Sequence, residues 1–398
     1  MITLENINVR PDLKSAFSYR QIGSLTREVE PIDVSASVES VMDFFQNNPT
    51  HTALPIERNG ALLGILGRSD IERLSESAWA RFWQKELDAY IQAPLVSLRA
   101  DDYIEKNVEQ VLELNTEKGA RHFAVFYRKS FFGIVNLQDM LARITEMRAQ
   151  EMEKARQVQK NLLESSNCPK DGRYSLIAWN RMASEVGGDF YKDFCLDGGS
   201  RRVIGCFDVS GKNLAASLST MAVGAFFSAL KHFDIGGKFG QELTRRLDGF
   251  VDDLTPPDTF ITAALLYVDL AEGTLTIQNC GHTPIYLFIP GEDRRVVGKT
   301  MPANMAPLGM GVVSSEENTA YRVPISRGLR VVSYTDGLTD MVDPDGERYG
   351  DDRARDLIAG TYGKSEAETR AAFSKAIDGW VSDALQADDI TILDLRFL

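Results

Sequence analysis

Four short stretches of this chain set a carboxylate where an apolar strand pattern begins or ends. Val203-Ile204-Gly205-Cys206-Phe207-Asp208 is an apolar run that stops on Asp208 and turns through Ser210-Gly211. Ser184-Glu185-Val186-Gly187-Gly188-Asp189 sets Asp189 after a glycine pair, at the start of a strand pattern. Leu329-Arg330-Val331-Val332-Ser333-Tyr334-Thr335-Asp336-Gly337 is another apolar strand ending on Asp-Gly, and Ala387-Asp388-Asp389-Ile390-Thr391 puts an acidic pair at the mouth of a final strand. One Asp-Gly at a strand end is ordinary turn chemistry. Four carboxylate-tipped strands in one domain would repel one another unless a cation sat among them. Oxygen donors with no His or Cys alongside suit Mg²⁺ or Mn²⁺ rather than Zn²⁺, and the turn beyond such a strand leaves a backbone carbonyl to share the ion.

The elements that must hold these acids follow from residue 174 onward. Strand patterns cover residues 175–179, 190–194, 202–207, 259–269, 274–279, 284–289, 322–324, 329–334 and 390–396. Helical patterns cover 214–233, 240–254, 351–359 and 365–385. The Ala271-Glu272-Gly273 turn predicts antiparallel pairing. Many strands with two helical hairpins predict an α+β fold, a sandwich of two sheets flanked by helices.

Five ordered motifs carry a resemblance. Glu185-Val186-Gly187-Gly188-Asp189-Phe190-Tyr191, Asp208-Val209-Ser210-Gly211-Lys212, Asn279-Cys280-Gly281-His282-Thr283-Pro284, Tyr334-Thr335-Asp336-Gly337-Leu338-Thr339-Asp340 and Asp388-Asp389-Ile390-Thr391 resemble the PPM family of metal-dependent serine/threonine protein phosphatases. The match is to the bacterial branch that includes sporulation and stress-response phosphatases, and it covers roughly residues 150–398. It implies the PPM-type β-sandwich and two Mn²⁺ or Mg²⁺ ions that activate a water against a phosphomonoester. On this resemblance Asp208 bridges both ions and is catalytic, the Val209 carbonyl touches one, and Asp336, also catalytic, completes the other with Asp388. Asp189 supports the second ion, while Asp389 stands behind the ligands. His282 could serve as a base, but Gly281-His282-Thr283-Pro284 reads as a turn. The implied substrate is a phosphoserine or phosphothreonine on a small antagonist of an anti-sigma factor. The competing reading is a catalytically weak scaffold that senses a nucleotide and binds a partner through its phosphatase-like domain.

Some positions depart from the family pattern. Gly211-Lys212-Asn213 stands where many relatives have His or Lys and then Gly, and Ala215 replaces a frequent Pro. Gly188 takes the place of an acid found in eukaryotic relatives, whose general-acid His has no counterpart near Ser210. These changes bear on metal affinity and on protonation of the leaving group.

Residues 1–140 contain an internal duplication. In the first copy a helical pattern from 38 to 45 precedes a strand at 53–56, a turn at Arg58-Asn59-Gly60, a strand at 62–66 and a helix opening at Arg68. In the second, a helix at 104–114 precedes strands at 123–126 and 132–135 and a helix opening at Leu137. This layout resembles a pair of CBS (cystathionine-β-synthase) modules, which commonly bind adenine nucleotides between the copies. Asp70 and Asp139 match the carboxylate that holds a ribose in such pairs, although Gly67 and Asn136 replace the usual hydroxyl residue three positions earlier. Acids at helix N-termini are also favoured by the macrodipole without any ligand.

Between these halves, residues 141–170 form the expected helical linker, with the phosphatase-type domain at 171–398. From 137 to 165 there is no Gly or Pro, and the composition is strongly helical. Such a helix spans on the order of 40 Å. Leu141, Ile144, Ala155, Val158 and Leu162 fall near heptad spacing, interrupted by Arg148 and Glu151, which leaves two readings: a coiled-coil homodimer contact, or a solvated connecting helix with one stripe on the catalytic domain. The end of the helix, 158–163, is expected to dock its apolar residues near helix 214–233.

The net charge of −13 argues against nucleic acid or an anionic membrane as the main partner. The start of the chain lacks the basic and apolar regions of a signal peptide, and no apolar run is long enough to span a bilayer. Cys168, Cys195, Cys206 and Cys280 show no Cys-x-x-Cys spacing. Cys206 and Cys280 read as reduced thiols of a cytoplasmic protein.

Overall fold

Two tight turns organise the N-terminal part of the chain. Asn59 and Gly60 have φ of 53° and 76°, and Arg128 and Lys129 have φ of 48° and 71°. A pair of left-handed residues matches the twist of a two-residue β-hairpin. The computed structural model describes residues 14–75, 87, 91, 96–118, 121–163, 168, 172–184, 186–211, 214–230, 239–255, 259–291, 296–311, 320–382 and 386–398. By packing, the chain divides into two compact units, Met1–Glu151 and Met152–Leu398.

The first unit contains α1 (Ile22–Leu25), β1 (Ile32–Asp33), α2 (Val38–Asn47), β2 (Ala53–Arg58), β3 (Ala61–Gly67), α3 (Arg68–Ser75), β4 (Ser97–Arg99), α4 (Ile104–Lys118), β5 (His122–Tyr127), β6 (Ser130–Asn136) and the start of α5 (Leu137–Leu163). Ser37 caps α2 by accepting a hydrogen bond from the Ser40 amide. Each half is a three-stranded sheet in which a short strand lies parallel to the first arm of an antiparallel hairpin. The two hairpins slip register at the same place, between Ile56 and Glu57 and between Val125 and Phe126. The duplication therefore extends to the bulge. The parallel strands β1 and β4 escaped sequence reading because two or three residues carry no periodicity. Ala53, Leu62 and Ile65 of one half pack with Ala124, Phe126, Phe131 and Ile134 of the other in one buried cluster.

The second unit contains β7 (Tyr174–Arg181), β8 (Asp189–Leu196), β9 (Arg201–Val209), α6 (Leu214–Ala229), α7 (Phe239–Leu254), β10 (Ile261–Asp269), β11 (Thr274–Cys280), β12 (Ile285–Pro290), β13 (Val296–Met301), β14 (Tyr321–Pro324), β15 (Arg330–Tyr334), α8 (Gly337–Asp340), α9 (Gly350–Ala359), α10 (Glu366–Val381) and β16 (Ile390–Phe397). The strands form two five-stranded sheets, ordered β14-β11-β10-β9-β8 and β13-β12-β15-β16-β7, and every paired neighbour is antiparallel. This is the expected α+β sandwich. Ile204, Leu266, Ile277, Leu287, Val331 and Leu393 fill the space between the sheets. Val223 and Phe227 of α6 and Leu243 and Leu247 of α7 cover the outer face of the first sheet. Ile358 of α9 and Phe373 and Ile377 of α10 cover the second. Strands with both faces covered read as continuous apolar runs, which is why β10 and β16 stood out in sequence.

The boundaries moved where local chemistry outranked pattern. Strand β13 has mostly exposed residues and gave no apolar signal. Helix α10 starts after Ser365, whose side chain and that of Glu368 form a reciprocal capping box. The expected ends of helices 214–233 and 365–385 lie outside the described residues. Among the described residues, no helix is long and apolar enough to cross a membrane.

Candidate functional site

Antiparallel pairing of β8 with β9 sets Asp189 opposite Asp208. Asp336 follows β15 and opens α8, but its side chain makes no capping bond there. Asp388 and Asp389 lead into β16, the neighbour of β15. Both sheets thus deliver acids to one cavity of about 450 Å³, lined by Asp189, Asp208, Val209, Asp336, Asp388 and Asp389 together with Gly187, Gly188 and Thr262. All the metal and catalytic positions read from the sequence meet there. Glu185, Lys212 and Asn213 lie outside the described residues.

Asp189 is almost wholly buried. Burial, followed by the nearby Asp208 carboxylate, pushes its carboxyl well above the usual range, against a hydrogen bond from Thr335 that favours the anion. The Thr335 hydroxyl donates to Asp189 Oδ2 at 2.5 Å and accepts from the Thr391 amide at 2.9 Å. Thr335 was not singled out in the sequence, although it sits inside the Tyr334-Thr335-Asp336-Gly337 motif.

Asp389 faces the backbone of the loop before β8. Its carboxylate accepts from the amides of Ala183 at 2.7 Å and Gly188 at 2.9 Å. Burial raises its carboxyl above the ordinary value in spite of these bonds. The glycines are required by close approach. A Cβ on Gly187 would stand 2.2 Å from Asp389 Oδ2, and one on Gly337 would stand 1.9 Å from the Asp389 carbonyl oxygen. A Cβ on Gly188 would press on the Val209 carbonyl at 3.2 Å.

The helix α5 reaches this loop through a polar residue. Gln159, 3% exposed, donates through Nε2 to the Gly187 carbonyl at 2.8 Å and to Thr220 Oγ1 on α6 at 2.7 Å. The expected contact with helix 214–233 is present, but its chemistry differs: Val158 is exposed, and the buried side chain that reaches α6 is an amide. An amide satisfies an otherwise unpaired carbonyl, which an apolar side chain cannot do.

His282 lies in the turn after β11. Its amide donates to Asn279 Oδ1 at 2.8 Å, and its Nδ1 shares a hydrogen bond of 2.9 Å with Thr262 Oγ1. Burial lowers the imidazole to about 4, so it is neutral near pH 7. Cys206 and Cys280 are buried free thiols, whereas Cys168 and Cys195 are joined in a disulfide. Their scattered spacing gave no sign of this pairing, which depends on a strand returning beside the end of α5.

In the first unit, a cavity of about 510 Å³ is lined by residues including Thr52, Arg68, Arg121, His122, Asn136 and Gln138. Asp70 and Asp139 stand in the first turns of α3 and α5, next to lining residues Ser69 and Gln138 rather than on the wall itself. Asp139 is paired with Arg27 at 3.0 Å. His122 bonds Thr52 at 3.0 Å and Asn136 at 3.1 Å, and burial lowers it to about 4 despite the pull of Asp70 and Asp139.

The acid cavity fits hard divalent cations by its donors. Five carboxylates line it, no Lys or Arg does among the described residues, and Asp189 is held above its usual range by burial and its acidic neighbours. The acids are spread along the wall: among the described residues, no three His, Cys, Asp or Glu side chains are drawn together as a ready-made cage.

The family model of stage II sporulation protein E (SpoIIE) matches residues 198–398, half of the chain. The chain belongs to the SpoIIE family. A CBS-domain model matches residues 20–77, within the first unit. The SiaA-PP2C domain of Pseudomonas aeruginosa aligns with a TM-score of 0.52 and 20% identity, covering 64% of this chain and 99% of that domain. That likeness shows a PP2C fold. Protein IcfG of Synechocystis sp. (strain ATCC 27184 / PCC 6803 / Kazusa) is 26% identical over 270 residues, 61% of this chain. The chain spans about two fifths of the length of that curated relative, 41%.

Proposed function

We propose that this SpoIIE-family chain is a metal-dependent serine/threonine phosphoprotein phosphatase whose N-terminal CBS unit regulates it. The convergence of Asp189, Asp208, Asp336 and Asp388 on one cavity carries this reading. Asp208, Asp336, Asp388, Asp189 and the Val209 carbonyl would hold two Mn²⁺ or Mg²⁺ ions. Bound there, the ions would neutralise the phosphate and activate the attacking water.

The remaining chemistry belongs to the chain. Asp389 holds the Ala183 and Gly188 amides before β8, and Thr335 orients Asp189. His282, buried and neutral, secures Thr262 beside Asp208 rather than shuttling protons. A phosphorylated side chain of a partner protein is the substrate favoured by family membership, in particular a small anti-sigma-factor antagonist. An adenine nucleotide is the ligand proposed for the first unit, where Arg68, Arg121 and His122 line a cavity of about 510 Å³.

The test is hydrolysis of p-nitrophenyl phosphate and of a phosphoserine peptide, with and without Mn²⁺, by the full chain. Activity is expected to need the metal and to vanish on chelation. Asp208→Asn and Asp336→Asn are each expected to lower the rate by roughly three orders of magnitude or more, since each removes charge from the activating site. Near-normal metal-stimulated turnover in either variant, with an unchanged circular dichroism spectrum, would show that the site is assigned wrongly.

A further inference from the structure

The end of α5 and the chain just beyond it are held to β8 and to the loop before it by three separate links. Gln159 bonds the Gly187 carbonyl at 2.8 Å. Lys192 Nζ on β8 donates to the Leu162 carbonyl at 2.7 Å. Cys168 and Cys195 form the third link, closing a 27-residue separation. The first two are hydrogen bonds that water can replace, and the third is covalent. Strand β8 begins at Asp189, so this fastening ends one strand length from the acid cavity.

We propose that Cys168–Cys195 is a reversible thiol–disulfide modification site that, when oxidised, ties the chain just beyond α5 to β8 and so limits opening of the helix end. The surroundings supply both the access and the leaving group that exchange requires. Cys168 is partly exposed and Cys195 is buried. Arg202 Nε lies 3.1 Å from Cys195 Sγ, and the same guanidinium pairs with Asp193 at 3.3 Å. A low-molecular-weight thiolate attacks the sulfur of the partly exposed Cys168 and expels Cys195 as a thiolate beside that cation, which favours the negative charge. A second small thiolate then attacks the added sulfur. It releases Cys168 as a thiolate and leaves as a small-molecule disulfide. Two small thiols are oxidised, the protein disulfide is reduced, and the two protons end on the protein sulfurs. Reduced Cys168 has an acceptor in Asp193 Oδ1, 3.3 Å away. Reoxidation by a small disulfide runs the same steps backward.

The test needs no catalytic readout, so its failure is separate from failure of the phosphatase reading. The full chain is equilibrated in buffers of varied reduced and oxidised glutathione, its thiols are trapped by alkylation, and its peptides are read by mass spectrometry. Cys168 and Cys195 are expected to change state together and reversibly, while Cys206 and Cys280 stay thiols. Hydrogen exchange of residues 152–163 is expected to be about tenfold faster in the reduced protein, because local opening loses its covalent limit. Cys168→Ser in oxidising buffer is expected to match the reduced wild type. Wild-type protein compared in its two states keeps the test valid if the variant folds poorly. Three results would each overturn the proposal: no Cys168–Cys195 bond under full oxidation, a bond that excess glutathione cannot open in the native protein, or equal exchange in both states.

Discussion

His282 carries the ring most suited to proton transfer in the five motifs, yet its environment holds that ring neutral. Burial lowers it from the ordinary 6.5 to about 4. The folded state therefore prefers the neutral form, so its contribution to stability is complete above pH 6.5 and fades as pH falls toward 4. A shift of this size corresponds to on the order of 3 kcal/mol for a fully buried group. His282→Gln, which cannot titrate, is expected to flatten the fall in unfolding midpoint between pH 6.5 and 4, measured by thermal melts. His122 titrates in the same window, so part of the slope is expected to remain.

Among the elements, the strands and helix of the second sheet are pinned by a buried ion pair. Arg330 on β15 donates to both carboxylate oxygens of Asp394 on β16, each at 2.8 Å. The same guanidinium reaches the Ile358 carbonyl at 3.0 Å and Thr361 Oγ1 at 2.7 Å, tying α9 to the sheet. Arg396 adds a second cation to Asp394 at 2.6 Å. Removing one partner of such a pair strands an uncompensated buried charge, which costs more than the pair itself contributes. Asp394→Ala is expected to destabilise the second unit by about 3–5 kcal/mol, read as a lowered denaturation midpoint. Combining Arg330→Met with Asp394→Leu is expected to recover much of that loss. A single mutant within 1 kcal/mol or so of wild type would contradict the network's role.

Across the whole molecule, α5 continues through the boundary between Glu151 and Met152. A helix without Gly or Pro is stiff enough to carry a rotation or a shift. Inserting two alanines near Met152 advances the helix phase by about 200° without breaking it. Basal phosphatase activity, or its response to a nucleotide, is then expected to change more than about threefold; unchanged behaviour would make α5 a passive tether. The chain is also expected to form a homodimer through its CBS unit and α5. Light scattering of the full chain at tens of micromolar checks this, with a monomer as the contrary result.

Residue order was enough to reveal the sandwich, the duplicated N-terminal layout and the acids of the cavity. Asp208, Asp336 and Asp388 were legible because each interrupts or borders an apolar run, and a charge beside buried strands is a local signal. Which polar groups serve those acids was settled by the packing of distant segments. Thr335, Asp389 and Gln159 act across separations of 146, 206 and 28 residues, on Asp189, Ala183 and Gly187. The Cys168–Cys195 bond and the Asp139–Arg27 pair arise in the same way, from strands and helices brought side by side. Period and composition report what a residue's neighbours in sequence bury. They carry no record of which distant backbone group is left needing a partner, and that need is met only when the sheets have closed.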